Sequence, residues 1–523
     1  MGGGRASRQD FLIVEALSQD KPIRPGRTAR GRFPLAPTGR QGMIVGLAFV
    51  SNALFNFLVA LLVARFLGPA EYGRFAIAWA SAILINTAGF DWLRLSAVRF
   101  YSNRVRSERP AVRATLEACF AALAAVIALG ALTLSLSGLD LPLSPGLIVV
   151  TALTGVANGL YELRTALARA RFFDRAYIEI VLIKNGFGLV LTVGGALAFG
   201  SAKIALAGAC LSVGMAMAAT YRDLRDPEAR LGLAERPLAR TYLAYGGPFI
   251  VSSVLFQLIP FAGRILAGAL YGYDEAGQFS LANDVGVRVL AALASALDVI
   301  VFQQAVRAEE TLGRAGARAQ LADNMALVVV VIAPAAAGLW LCLPGVEALI
   351  APKAYRGPFS AYLGPMLPGL AAFVLMMYAV APIFQIAKRT APMILAALAA
   401  IAADVALIAS LPRGEAGYWL ASAQSGALIV GLAVALLLAQ ATRPQWPRAR
   451  DLLGALAATG AMALALWPLR GLEPSVALLA AQVSVGAAIY GALAWILDLA
   501  QLRQRVRDLI GPRALAAGSV KDS

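Results

Sequence analysis

Apolar and polar residues do not alternate along this chain; they come in blocks. Runs of mostly apolar residues are separated by short connectors that are polar, basic or rich in Gly and Pro. One helix needs about 20 such residues to cross the hydrocarbon core of a bilayer. Fourteen blocks are read as spans, at 43–64, 75–93, 114–137, 146–163, 177–199, 202–220, 244–270, 276–302, 323–343, 361–386, 391–411, 417–440, 452–469 and 475–499. Turn formers such as Gly68-Pro69, Gly357-Pro358 and Glu473-Pro474 sit between them. The pattern predicts an all-α integral membrane protein with fourteen transmembrane helices.

Composition sharpens this. The 523 residues are 59% hydrophobic and 15% charged, against roughly 45–50% and 25% in soluble chains. The net charge of +16 would suggest nucleic acid as partner for a soluble protein, but the position of the charges gives a different reason. Of the 46 Lys and Arg, 36 fall in alternate connectors and both terminal segments, 7 in the other connectors, and Lys184, Arg264 and Arg288 within spans. Cytoplasmic loops carry such an excess, so both termini are expected in the cytoplasm, and no nucleic-acid partner is expected. Residues 1–42, with eight basic residues amid Gly and Pro, are read as a disordered cytoplasmic arm. Histidine is absent, which excludes His-based metal sites and Ser-His-Asp triads. Cys119, Cys210 and Cys342 stand singly in apolar runs and are read as core residues. No cofactor and no metal are expected.

Within this order one phrase occurs twice. "GPAEYGRFAIA" (68–78) and "GYDEAGQFSLA" (272–282) agree at five of eleven positions, 204 residues apart. The first joins spans 1 and 2, the second spans 7 and 8, and both fall on the extracytoplasmic side. Six helices separate them, so the two units run through the membrane in the same direction, as a parallel repeat. In each copy Gly73 or Gly277 is expected to relax the backbone. Glu71 or Glu275 is expected to sit at the positive end of the next helix, and Phe75 or Phe279 in the membrane interface. The division that follows is an arm (1–42), an N-lobe (43–220), a cytoplasmic linker (221–243), a C-lobe (244–440), a last helix pair (441–500) and a basic tail (501–523).

The stretches "ARFLGPAEYGRFAIAWA" (64–80) and "LAGALYGYDEAGQFSLAND" (266–284), with the count of fourteen, resemble the Wzx-like O-antigen and exopolysaccharide flippases of the MATE/MOP superfamily. The likeness covers about residues 43–500. It implies two six-helix lobes forming a V around a central cavity, with two extra C-terminal helices. It also implies movement of an undecaprenyl-diphosphate-linked oligosaccharide from the cytoplasmic to the periplasmic leaflet of the bacterial inner membrane, without catalysis. Membrane lipids and polysaccharide polymerase or export machinery are the implied partners.

Charges inside a bilayer default to facing a cavity or a partner. Asp284 and Arg288 on span 8 lie roughly 12–18 Å from the extracytoplasmic end. Their i, i+4 spacing puts them on one face. They are read either as a self-neutralised pair or as a site where Arg288 receives diphosphate and Asp284 tunes it. Arg264, with Gln257 seven residues earlier on span 7, either snorkels outward or holds the cargo. Lys184, at the cytoplasmic opening of span 5, has the same two readings. Asp284 and Asp298 are candidate carboxylates for coupling to an ion. Pro260, Pro334, Pro365, Pro368 and Pro382 mark helices able to bend.

Three other functions fit less well. A cation-coupled drug exporter of the MATE type carries an acid on its first span, and 43–64 has none. A lipid II flippase shares the span number and cationic interior but has a different first-helix pattern. A membrane-embedded glycosyltransferase or polymerase needs acid–base residues in a large periplasmic loop. The longest such connector, about 344–360, carries Glu347 alone.

Overall fold

The computed structural model describes residues 40–507 apart from 140, 388 and 415, with side chains from Phe57 onward except at 296, 298–303 and 307. Every element among the described residues is helical. The principal helices are α1 (Arg40–Phe100), α2 (Asn103–Glu108), α3 (Ala111–Leu136), α4 (Pro145–Ala170), α5 (Asp174–Phe199), α6 (Ala202–Ala219) and α7 (Arg236–Tyr271). They continue with α8 (Tyr273–Leu341), α9 (Leu343–Leu349), α10 (Pro358–Ile386), α11 (Ala391–Ser410), α12 (Tyr418–Ala439), α13 (Ala449–Leu466) and α14 (Val476–Ile496). The basic arm 1–42 lies almost wholly outside the described residues, as does most of the tail.

Twelve helices among the described residues are long and apolar enough to cross a membrane. The expected count was fourteen, and the difference has two sources. Expected spans 1 and 2 fall on one rod, Phe57–Phe100, and span 8 is not among the twelve. At 1.5 Å per residue, 44 residues far exceed a bilayer core, and α1 as a whole breaks at Gly68 (φ 72°, ψ 171°) into arms 40–67 and 69–100. The 69 residues of α8 likewise break at Gly313 (φ 68°). Exposure supports the membrane reading. Val126, Leu129 and Leu136 of α3 are 67%, 63% and 76% exposed, an apolar surface of the kind that meets lipid.

The repeated phrase has one backbone form in both copies. Gly272 (φ 97°, ψ 168°) matches Gly68, and both occupy a region essentially restricted to glycine. These first glycines make the turn, whereas Gly73 and Gly277, expected to relax the backbone, lie inside helices. Their role is close approach. A Cβ on Gly73 would overlap the Tyr273 carbonyl oxygen, and a Cβ on Gly277 would overlap the Pro69 carbonyl oxygen. Since Pro69 and Tyr273 are equivalent positions, each copy receives from the other the contact that it gives. Phe279, expected in the interface, is fully buried and edge-packed on Tyr362 at 5.7 Å, and Phe75 is buried too.

The chain falls into two compact units: residues up to Leu67 with Arg74–Val254, and Gly68–Gly73 with Leu255 onward. In the first, Phe90, Leu93, Leu116, Leu163 and Tyr242 form the core. Trp92 packs where a side chain on Gly246 would sit. The segment between α6 and α7 is strapped down. Asp226 accepts from Tyr101 Oη at 3.4 Å and Arg106 Nε at 3.2 Å. Arg109 Nη2 donates to Glu235 at 3.1 Å, and Tyr242 Oη donates to the Val112 carbonyl at 3.2 Å. In the second unit, the Gly369 N–H donates to Ser425 Oγ at 2.8 Å, joining α10 to α12. Gly431 admits Ala400 of α11, and Gly426 admits Leu407. Leu341, Met462 and Leu466 seat α13 against α8.

Candidate functional site

Polar side chains inside the second unit converge on Asp284. Arg264 of α7 donates through Nη2 to its Oδ1. Asn283 Nδ2 donates to the same oxygen at 3.4 Å, and Gln424 Nε2 of α12 donates to Asn283 Oδ1 at 2.8 Å. Three helices thus share one hydrogen-bonded line. Arg264 is 7% exposed, and its Nε is buried with no partner among the described residues. It is drawn inward to a carboxylate, which the snorkelling reading did not foresee. Sequence spacing set Asp284 beside Arg288 on one face, and the structure adds an ion pair between Asp284 and Arg264 across helices. Arg288 lies one turn on, half-buried. Arg264, Asp284 and Arg288 are the charges around the buried Tyr72 hydroxyl.

These residues meet because α7 and α8 are consecutive antiparallel helices joined at Gly272. The small residue Gly263 accepts the Phe279 ring, which brings the next position, Arg264, against α8. Gln257 lies two turns earlier on α7 and is half-buried. The side chain of Asp298 lies outside the described residues.

Lys184 belongs to the first unit. Its ammonium stands 5.2 Å over the Tyr161 ring of α4, so it too is held against a neighbouring helix. Glu162 is beside it. Arg94 of α1 pairs with Asp91 at 3.1 Å and lies 4.0 Å from Glu162. The surroundings of Glu162 are Arg94, Asp91, Arg169 and Lys184. This cluster of three cations and two acids was missed because the second span was ended at residue 93, which assigned Arg94 to a loop, whereas the helix continues to Phe100.

Arg113 was also counted as a loop charge. It is 1% exposed, with Nε on Glu117 at 3.0 Å and Nη1 3.9 Å from Asp226. Asp404 of α11 escaped notice altogether. It is 5% exposed and lies between Ala400 and Leu407 on the face packed against α12. Among the described residues it has no hydrogen bond or ion pair. A single acid in a 20-residue apolar helix is signal enough to find it.

Chemically, Arg264 in the second unit is a buried guanidinium held by a carboxylate. Such a group can exchange an internal anion for an external one, because an arginine fork matches phosphate as well as carboxylate.

A family profile described as "Polysaccharide biosynthesis protein" matches residues 62–350. No curated protein sequence matches the chain. Among solved structures, the lipid II flippase MurJ in an inward closed conformation is similar over 90% of this chain and 100% of its own, at 14% identity and a TM-score of 0.70. An inward-facing multidrug resistance MATE family transporter of the MOP superfamily is similar over 76% of this chain and 99% of its own, at 14% identity and a TM-score of 0.52. At these identities the likeness is one of fold.

Proposed function

Because the chain belongs to the polysaccharide biosynthesis protein family, we propose that it is a flippase for a lipid-linked oligosaccharide. Its cargo is an undecaprenyl-diphosphate-linked unit, carried by alternating access from the cytoplasmic to the periplasmic leaflet during cell-surface polysaccharide synthesis. The observation that carries this reading, beyond family and fold, is the buried Arg264–Asp284 pair with Arg288 one turn away. The cargo's diphosphate competes with the Asp284 carboxylate for the guanidinium groups, so binding loosens the pair and departure restores it. In the first unit, Lys184 and Arg94 offer the cytoplasmic half a similar exchange with Glu162 and Asp91. Asp284 is the carboxylate nearest to these events and the first candidate for coupling to an ion, with Asp298 the second.

Transport rather than catalysis is also supported by Glu347. This acid accepts from the Gly357 N–H at 2.7 Å, the Ser360 N–H at 3.0 Å and the Ser360 hydroxyl at 2.6 Å. It caps the start of α10 and is occupied as an acceptor.

The test is mass spectrometry of lipid-linked oligosaccharides in a deletion strain complemented with wild type, Arg288→Ala or Asp284→Ala. Completed undecaprenyl-linked units should accumulate without the protein and clear with wild type alone. Clearance by all three would keep the flippase and make the pair structural. Accumulation of a peptidoglycan precursor instead would transfer the cargo assignment to lipid II. Altered drug sensitivity with no accumulation would replace the flippase with an exporter.

A further inference from the structure

A cation in the second unit remains outside the network above. Arg470 lies in the turn Trp467–Gly471 after α13. Its guanidinium carbon stands 3.6 Å from the centroid of the Trp340 ring. Trp340, at the end of α8, stacks in turn on Trp467, with centroids 6.0 Å apart and planes 28° from parallel. The platform is held from beneath. Buried Gln482 of α14 donates through Nε2 to the Leu469 carbonyl at 2.9 Å, and Leu341, Met462 and Leu466 pack below. A snorkelling arginine needs none of this support.

Arg470 has no hydrogen bond or ion pair among the described residues. Glu473, three residues on, is exposed and does not pair with it. The indole N–H groups of Trp340 and Trp467 have no acceptor among the described residues either. Trp467 is 60% exposed and Arg470 is half-buried. The site therefore presents donors and one positive charge, with no acceptor of its own. A guanidinium stacked on an indole face keeps its edge N–H groups free for an acceptor that offers two oxygens, such as a phosphate. Its depth is also defined: Trp340 and Arg470 stand at the ends of the candidate spans Ala308–Leu341 and Ala449–Gly471. Lipid phosphates lie at that level, as do belt tryptophans.

We infer that Trp340, Trp467 and Arg470 form a binding site for the phosphate of a lipid headgroup, in the leaflet that the charge distribution places outside. The phosphate oxygens accept from the edge of Arg470, and the exposed Trp467 ring lies beside the lipid. This inference goes beyond the proposed cargo and does not depend on it. The phosphate can belong to a bulk glycerophospholipid or to a polyprenyl diphosphate, and the experiment separates these sources.

Delipidated full-length protein in detergent is titrated with phosphatidylglycerol, undecaprenyl diphosphate or inorganic phosphate, and bound ligand is counted by native mass spectrometry. Arg470→Gln should weaken the tightest lipid by about tenfold, the effect expected for a lost charge-assisted hydrogen bond. Arg470→Lys should restore part of it, since an ammonium keeps the charge without the fork. Trp340→Leu should weaken binding with the charge still present. Loss confined to phosphatidylglycerol would support a bulk-lipid site, and loss confined to undecaprenyl diphosphate would support a site for the polyprenyl lipid. Competition by inorganic phosphate would show that the headgroup suffices. Equal binding of both lipids by wild type and Arg470→Gln, at an unchanged thermal midpoint, would overturn the inference and leave the stack as an interface anchor.

Discussion

Arg264 and Asp284 are each other's neutralising partner, so deleting one charge leaves the other buried. Removal of one member of such a pair costs about 3–5 kcal/mol. Arg264→Gln is therefore expected to lower the thermal midpoint in detergent sharply, and Arg264→Gln with Asp284→Asn to recover much of the loss. Additive losses would mean that the two act independently. Asp404 is the opposite case, a buried carboxyl with no partner among the described residues. Asp404→Asn has nearly the same shape and is expected to raise stability by about 1 kcal/mol, because no charge can then form there. A lowered midpoint would reveal an acceptor or ion at that carboxyl. The sequence disclosed only local pairs on one helix. Asp284 with Arg288 is such a pair, whereas Arg264 reaches Asp284 from another helix, and helix rotation is fixed by packing that spacing does not encode. Phe279 against Gly263 is part of that packing.

At the level of elements, the repeat was legible because identical offsets survive in the chain. What the offsets do was not. Gly68 and Gly272 turn the backbone, while Gly73 and Gly277 allow two helix starts to touch. Gly277→Ala places a methyl against the Pro69 carbonyl, at an expected cost of about 1–3 kcal/mol, read as a lower thermal midpoint. Gly214→Ala is the control. It lies in α6 with open space around it, and alanine there should gain up to about 1 kcal/mol. Similar shifts for both variants would remove close approach as the reason for Gly277. Span boundaries were the weaker part of the reading. Hydropathy falls where charge begins, but α1 continues seven residues past residue 93, and so Arg94 was placed in a loop.

For the molecule as a whole, the segment between α6 and α7 was expected to be a separate linker, and nothing in its composition disclosed its attachment to the first unit. Asp226, Glu235 and Tyr242 provide that attachment, each to a residue more than a hundred positions away. Arg222, Arg225 and Arg230 offer trypsin sites along it. Asp226→Asn is expected to speed tryptic cleavage between α6 and α7 several-fold in intact membranes, by increasing the share of molecules in which the strap is open. An unchanged rate would assign the hold to Glu235 and Tyr242. The turn Gly68–Gly73 belongs to a unit whose remaining residues begin at Leu255, and its receiving glycine is residue 277. At about 5–20 residues per second, a ribosome needs roughly 10–40 s to travel the 204 residues from one copy to the other. Throughout that interval the first helices of the nascent chain stand in the membrane with an unfilled backbone notch. The duplication thus imposes an order on biogenesis, in which the turn at Gly68–Gly73 cannot find its place until residue 277 has been made.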